Sequence, residues 1–129
     1  MKRIIIDTNF LLIPSQFKVD IFSEFGRICN FNYELFIFGE SINELKKIID
    51  KQTLREKKAA QLALKLIELK KIGVIKSAQK DVDSLILENS DSDTIVATLD
   101  IKLKKELLKK GASVIVLRQK KYLEFDNNI

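Results

Sequence analysis

Short apolar runs alternate with stretches of helical periodicity along the chain, and this alternation restricts the fold more than any other feature of the sequence. RIII (3–6), ELFIF (34–38), VIK (74–76), TIVAT (94–98) and VIVL (114–117) read as five strands. Runs of Ile, Val and Phe this short, bounded by turn formers, suit buried strands better than helices. Between them Val19, Phe22, Phe25, Ile28 and Cys29 recur at helical spacing, and further helices are expected over about 41–50, 53–71, 82–88 and 101–110. Leu62, Leu66 and Leu69 mark the apolar side of the longest, with Thr53-x-x-Glu56 as a candidate capping box, and Gly73 and Gly111 stand where two helices should stop. Strands alternating with helices predict an α/β protein: a single three-layer α/β/α domain over 1–129 with a mostly parallel sheet of about five strands. A weak YLEF segment follows the fifth strand, and the tail from about residue 124 is expected to fray.

Four acids follow four of these strands: Asp7, Glu44, Asp83 and Asp100. In an open parallel sheet the carboxyl ends of the strands share one edge, and ligands bind in the crevice beyond it. Acids far apart in the chain would thus converge. Carboxylates packed together resist ionising together unless a cation sits among them, and hard divalent ions such as Mg²⁺ or Mn²⁺ take oxygen ligands of this kind. Each acid also has a local explanation. Asp7 suits an Asx-turn, Ser41-x-x-Glu44 reads as a capping box, and Asp83 favours a helix dipole behind an Asp81 N-cap. Asp100 suits the cap of the helix at Ile101. Asp91 and Asp93 precede the fourth strand and fall on the other edge.

Composition narrows the chemistry. The chain has no histidine, which removes Ser-His-Asp and Cys-His nucleophiles and His-based zinc sites. Cys29 is a lone cysteine, so it forms no internal disulfide and reads as a small core residue in a reduced, cytoplasmic protein. A hydrophobic content of 46% argues against disorder, and no apolar run is long enough for a membrane span or a secretory leader. A net charge of +5 around an acidic pocket suits a polyanionic substrate.

The words around the acids carry a resemblance. Asp7-Thr8-Asn9 after an apolar strand resembles the opening motif of PIN-domain nucleases. Ser41-Ile42-Asn43-Glu44-Leu45 is similar to their second acidic segment, Val82-Asp83-Ser84-Leu85-Ile86 to the third, and Ala97-Thr98-Leu99-Asp100 to the fourth. The four occur in the family's order and cover essentially the whole chain. Asp7 through Phe17, with its Pro14-Ser15-Gln16-Phe17 loop, leading into Val19-Asp20-Ile21-Phe22, looks like an archaeal PIN group. That group is related to the eukaryotic rRNA-processing endonuclease of the small-subunit processome. VapC-type toxins share the fold and the acids but usually lack this loop. One departure is Lys102, where the processome relatives can carry a further acid.

The resemblance implies a metal-dependent RNA endonuclease with a role in ribosomal RNA maturation. Asp7, Asp83 and Asp100 would hold one or two Mg²⁺ or Mn²⁺ ions and Glu44 would complete the cluster. Asn9 would orient Asp7, and Thr98 would bond a carboxylate, water or phosphate. Lys102, Lys105, Arg118 and Lys120 are candidate phosphate contacts, and Phe17 a candidate base-stacking ring. The Phe-rich first third also reads as core packing or a homodimer interface. A toxin-type ribonuclease and a non-catalytic RNA-binding or ribosome-assembly module are the alternatives. Aspartyl phosphotransfer folds fit poorly, because they need paired acids or Asp-x-Asp where this chain has only Asp7.

Overall fold

The computed structural model describes residues 1–51 and 53–126. Strands β1 (Lys2–Ile6), β2 (Tyr33–Phe38), β3 (Gly73–Ile75), β4 (Thr94–Ala97), β5 (Ser113–Arg118) and β6 (Tyr122–Phe125) form one sheet in the order β3-β2-β1-β4-β5-β6. The first five are parallel, and β6 runs antiparallel to β5. The sheet therefore has six strands rather than about five. The expected fraying from residue 124 is also corrected. Glu124 pairs with Val116, and Asp126 is buried and donates its N–H to Val114 O at 2.8 Å. The rest of the expected loose tail, 127–129, lies outside the described residues.

Ile4–Ile6 of β1 and the whole of β4, at the centre of the sheet, are buried on both faces, which is why they read as unbroken apolar runs. Ile4 and Ile6 point into one core and Ile5 into the other. The helices are α1 (Ile13–Phe17), α2 (Ile21–Ile28), α3 (Gly39–Lys51), α4 (Leu54–Leu69), α5 (Val82–Glu88) and α6 (Ile101–Lys109). Buried residues of α1 to α4 pack with Ile4 and Ile6, and those of α5 and α6 with Ile5. This is the expected three-layer arrangement. Among the described residues, no helix is long and apolar enough to cross a membrane.

The strand order places the site. From β1 the chain winds outward to β2 and β3, then returns to the other side of β1 to form β4. The seam between β1 and β4 is thus the topological switch point, where an open sheet leaves a crevice beyond its carboxyl edge. Asp7 leaves β1 at this seam, and its N–H still bonds to Ala97 O of β4 at 2.9 Å.

Pro14–Phe17, expected as a loop, are helical instead. Thr8–Leu12 form a 3₁₀ turn that runs into α1, with Pro14 at the start of the helix. Proline suits a first helical turn, where its missing N–H costs nothing. Phe10 in this turn is fully buried, and its ring stacks on Phe25 of α2 with centroids 6.1 Å apart. Phe22 meets Phe25 edge-on at 6.4 Å. These rings clamp the turn that carries Asp7 and Thr8 onto the core. Phe10→Ala is expected to lower unfolding free energy in urea by about 3–5 kcal/mol. Helix α4 buries Ala59, Ala60, Ala63 and Ile67 rather than the expected Leu62–Leu66–Leu69 side, because the small alanines let it sit close to the core. Leu69→Ser, at an exposed position, should therefore stay within about 0.5 kcal/mol of wild type in the same measurement.

Candidate active site

Asp7 lies at the centre of the switch-point crevice. It is only 3% exposed, and both carboxylate oxygens accept hydrogen bonds. Oδ1 accepts from the Thr8 N–H at 2.8 Å and Oδ2 from the Thr98 hydroxyl at 2.7 Å. Thr98 is itself buried at the end of β4, and its Oγ1 accepts the Asp100 N–H at 3.0 Å. One hydroxyl thus joins the acid after β1 to the acid that begins α6.

Asp100 is the N-cap of α6 and accepts the Leu103 N–H at 3.0 Å. The helix-cap explanation for this residue is correct as far as it goes, but the cap bond uses only Oδ1. Asp83 occupies the first turn of α5, behind Asp81, which is the true N-cap and accepts from Ser84. Asp83 lies close enough to Asp100 to feel its charge, and the two line one small cleft.

Glu44 is reached through α3. That helix begins at Gly39, so Ser41 lies inside it and the Ser41-x-x-Glu44 capping box does not form. Ser41 is fully buried instead. Thr8 Oγ1 lies 2.8 Å from Ser41 Oγ and 2.5 Å from Glu44 Oε1. A threonine hydroxyl has one proton. It belongs to the carboxylate, which can only accept, and Ser41 in turn donates to Thr8. This chain of hydroxyls fixes Glu44 against the turn after β1.

Asp7, Glu44 and Asp83 line one cleft of about 430 Å³ together with Thr8, Asn9 and Lys47. Asp83 and Asp100 line an adjoining one of about 170 Å³ with Lys102. The four acids are therefore gathered along one edge of the sheet. Asp91 and Asp93 lie away from it, beside Met1 and Arg3 at the amino ends of the strands.

The electrostatics of the group follow from burial without compensation. Among the described residues, none of the four carboxylates has a lysine or arginine ion-pair partner. Burial pushes the Asp7 carboxyl up to about 6, against the lowering pull of its bonds from Thr98 and Thr8, and the charges of Asp83 and Glu44 push the same way as burial. Asp83 is also raised, first by burial and then by Asp100, Asp81 and Glu44. Such a set fits a hard cation: its donors are all oxygen, and a positive charge would relieve the repulsion. As the side chains stand, no three acids among the described residues form a ready-made metal cage.

A sequence profile described as "PIN like domain" matches residues 4–120. The chain belongs to the PIN-like domain family. This PIN-like chain is 31% identical over 126 residues to ribonuclease VapC4 of Methanocaldococcus jannaschii, with 96% of each chain covered. It also shares its fold with the PIN domain endonuclease Utp24, at a TM-score of 0.79 and 21% identity, over 96% of this chain and 90% of that one. The resemblance to PIN-domain nucleases drawn from the four acidic segments holds.

Other nominated residues of the PIN-like chain fare unevenly. Asn9 is exposed on the cleft rim and makes no bond to Asp7, whose carboxylate is oriented by the Thr8 amide and Thr98. Arg118 is committed to Glu124 at 2.5 Å and to Asp126 at 3.7 Å. Lys120 Nζ lies 5.9 Å above the Phe17 ring, so one face of that ring is covered. Lys102 borders the Asp83–Asp100 cleft, and Lys105 is exposed on α6. Thr8, Ser41 and Lys47 were missed. Lys47 was findable, because it lies one helical turn after Glu44 and so shares its face.

Because the folded-state pKa of Asp7 is raised, the native chain holds a proton there that the unfolded chain has released. That contribution to stability is fully present below pH 3.8 and is lost as pH rises through about 6. The loss amounts to about 3 kcal/mol. Urea titrations of metal-free protein across this window should show the decline, and Asp7→Asn should flatten it. An unchanged profile in the variant would assign the decline to other groups.

Proposed function

We propose that the chain is a divalent-metal-dependent endoribonuclease, acting as one PIN-like domain over 1–129 in the cytoplasm. The observation that carries this reading is the gathering of four uncompensated carboxylates at the β1–β4 switch point. It is supported by the ribonuclease relative that aligns over nearly the whole chain. With no histidine in the chain, phosphodiester hydrolysis here rests on carboxylates and on an ion they hold. One or two Mg²⁺ or Mn²⁺ ions would supply, when bound, an activated water and positive charge against the leaving oxygen.

The protein's own work is positioning. Asp7, fixed at both oxygens, is the least mobile donor and would anchor the ion. Asp83 and Asp100 would complete the set, with Asp100 held in place by its cap bond and by Thr98 at once. Glu44, held through Thr8, would contribute from the opposite wall.

The RNA is proposed to be ribosomal. This finer reading rests on the Pro14-Ser15-Gln16-Phe17 segment and on the fold shared with Utp24. The VapC4 relative favours a toxin-type ribonuclease as the second reading.

Purified protein should cut single-stranded RNA with Mg²⁺ or Mn²⁺, leaving 5′-phosphate and 3′-hydroxyl ends, and a chelator should stop it. Asp7→Asn and Asp100→Asn should each abolish cutting, with RNA affinity within a few-fold of wild type. Cutting that survives both substitutions would refute the assigned site. RNA cross-linked in cells separates the two readings: ribosomal precursors support processing, whereas growth arrest on expression, lost with Asp7→Asn, supports the toxin type.

A further inference from the structure

Thr8 holds two of the four acids, each with a different group. Its amide donates to Asp7 Oδ1 at 2.8 Å, and its hydroxyl donates to Glu44 Oε1 at 2.5 Å. The first bond is made by the main chain, so any residue but proline at position 8 could supply it. The second needs a hydroxyl at this point, because Glu44 arrives on a helix 36 residues later. Thr8 is 4% exposed, so water does not readily stand in for its side chain.

Behind Thr8 lies Ser41, which is fully buried. It precedes Glu44 by one turn of α3 and so faces the same way. A serine inside a helix commonly turns its hydroxyl back onto the carbonyl four residues earlier. Ser41 meets Thr8 Oγ1 instead, at 2.8 Å. Because Ser41 donates to Thr8, the single Thr8 proton is aimed at Glu44, and a hydroxyl that accepts one bond donates more strongly in the next. Glu44 has a long, flexible side chain. Holding its Oε1 removes part of the ordering cost that a bound ion would otherwise meet.

We propose that Thr8 and Ser41 are positioning residues that set Glu44 for the divalent ion and act in series. Ser41 fixes the Thr8 hydroxyl, and that hydroxyl fixes Glu44 relative to Asp7, whose own carboxylate is fixed by the Thr8 amide. The inference rests on the metal-dependent ribonuclease reading above and adds two uncharged residues to it. Neither would bind the ion itself. Their effect on it passes through Glu44.

The test is calorimetric titration of Mn²⁺ into metal-free protein. Thr8→Val keeps the side-chain shape and removes the hydroxyl, and should weaken Mn²⁺ binding about 10-fold. Ser41→Ala should weaken it several-fold, and Thr8→Ser should restore wild-type affinity. Action in series predicts that Ser41→Ala adds no further loss to Thr8→Val, and that neither adds to the loss in Glu44→Gln. Losses that multiply with Glu44→Gln would overturn the proposal. So would variants that are less stable in urea yet bind Mn²⁺ like wild type, since that is the mark of a purely structural contact. If Thr8→Val strands the Ser41 hydroxyl and fails to fold, Thr8→Val with Ser41→Ala removes both polar groups together and carries the same comparison. Whether the wild type cuts RNA judges the ribonuclease reading separately, because the Mn²⁺ titration does not depend on cutting. A wild type that binds no Mn²⁺ overturns both.

Discussion

The hydrogen bond from Thr98 to Asp7 crosses the seam between β1 and β4, and the rest of the site depends on it. A carboxylate 3% exposed and without a cation partner is tolerable only if strong donors replace water. Thr98 supplies one and the Thr8 amide the other. The same hydroxyl accepts from the Asp100 amide, so loosening the seam would also move the start of α6. The backbone reinforces the geometry, since Asp7 N–H bonds to β4 and Thr98 N–H bonds to Ile115 O of β5 at 3.3 Å.

Ion pairing elsewhere in the molecule sharpens the contrast. Glu24 of α2 accepts from Arg27 and from the Leu123 amide, while Arg27 donates to Leu123 O at 2.7 Å. Lys104 and Arg118 converge on the buried Asp126. Together these contacts fasten the antiparallel edge strand β6 to α2, α6 and β5. Cations are thus used where the fold needs an edge closed, and withheld from the four carboxylates, where burial and then neighbouring charge raise the proton affinity of Asp7 and Asp83. Local repulsion of this kind is a cost to the metal-free fold.

The alternation of strands and helices, the burial of the central strands on both faces and the four acids at one sheet edge were all legible in the sequence. Each rests on a short-range rule. Ile4, Ile5 and Ile6 can all be buried only in a strand covered on both faces, and an acid directly after a parallel strand can only emerge at the carboxyl edge. The family's four segments were legible for the same reason, being local words in a fixed order. The YLEF strand was underweighted because four residues carry little periodicity. What fixes it is pairing with β5 and the ion pairs to residues far away in the chain.

Distance in sequence hid the rest. Thr8, Ser41 and Glu44 form one chain of hydrogen bonds, yet nothing local predicts that a serine in a capping-box pattern lies within the helix and beneath a threonine 33 residues earlier. Likewise Arg118 looked free until β6 folded back and brought Glu124 and Asp126 to it. Sequence alone determined which elements form and which residue types stand at the working edge. Tertiary structure decided which charges are paired and which remain available, because that depends on strand order and on side chains meeting across the sheet.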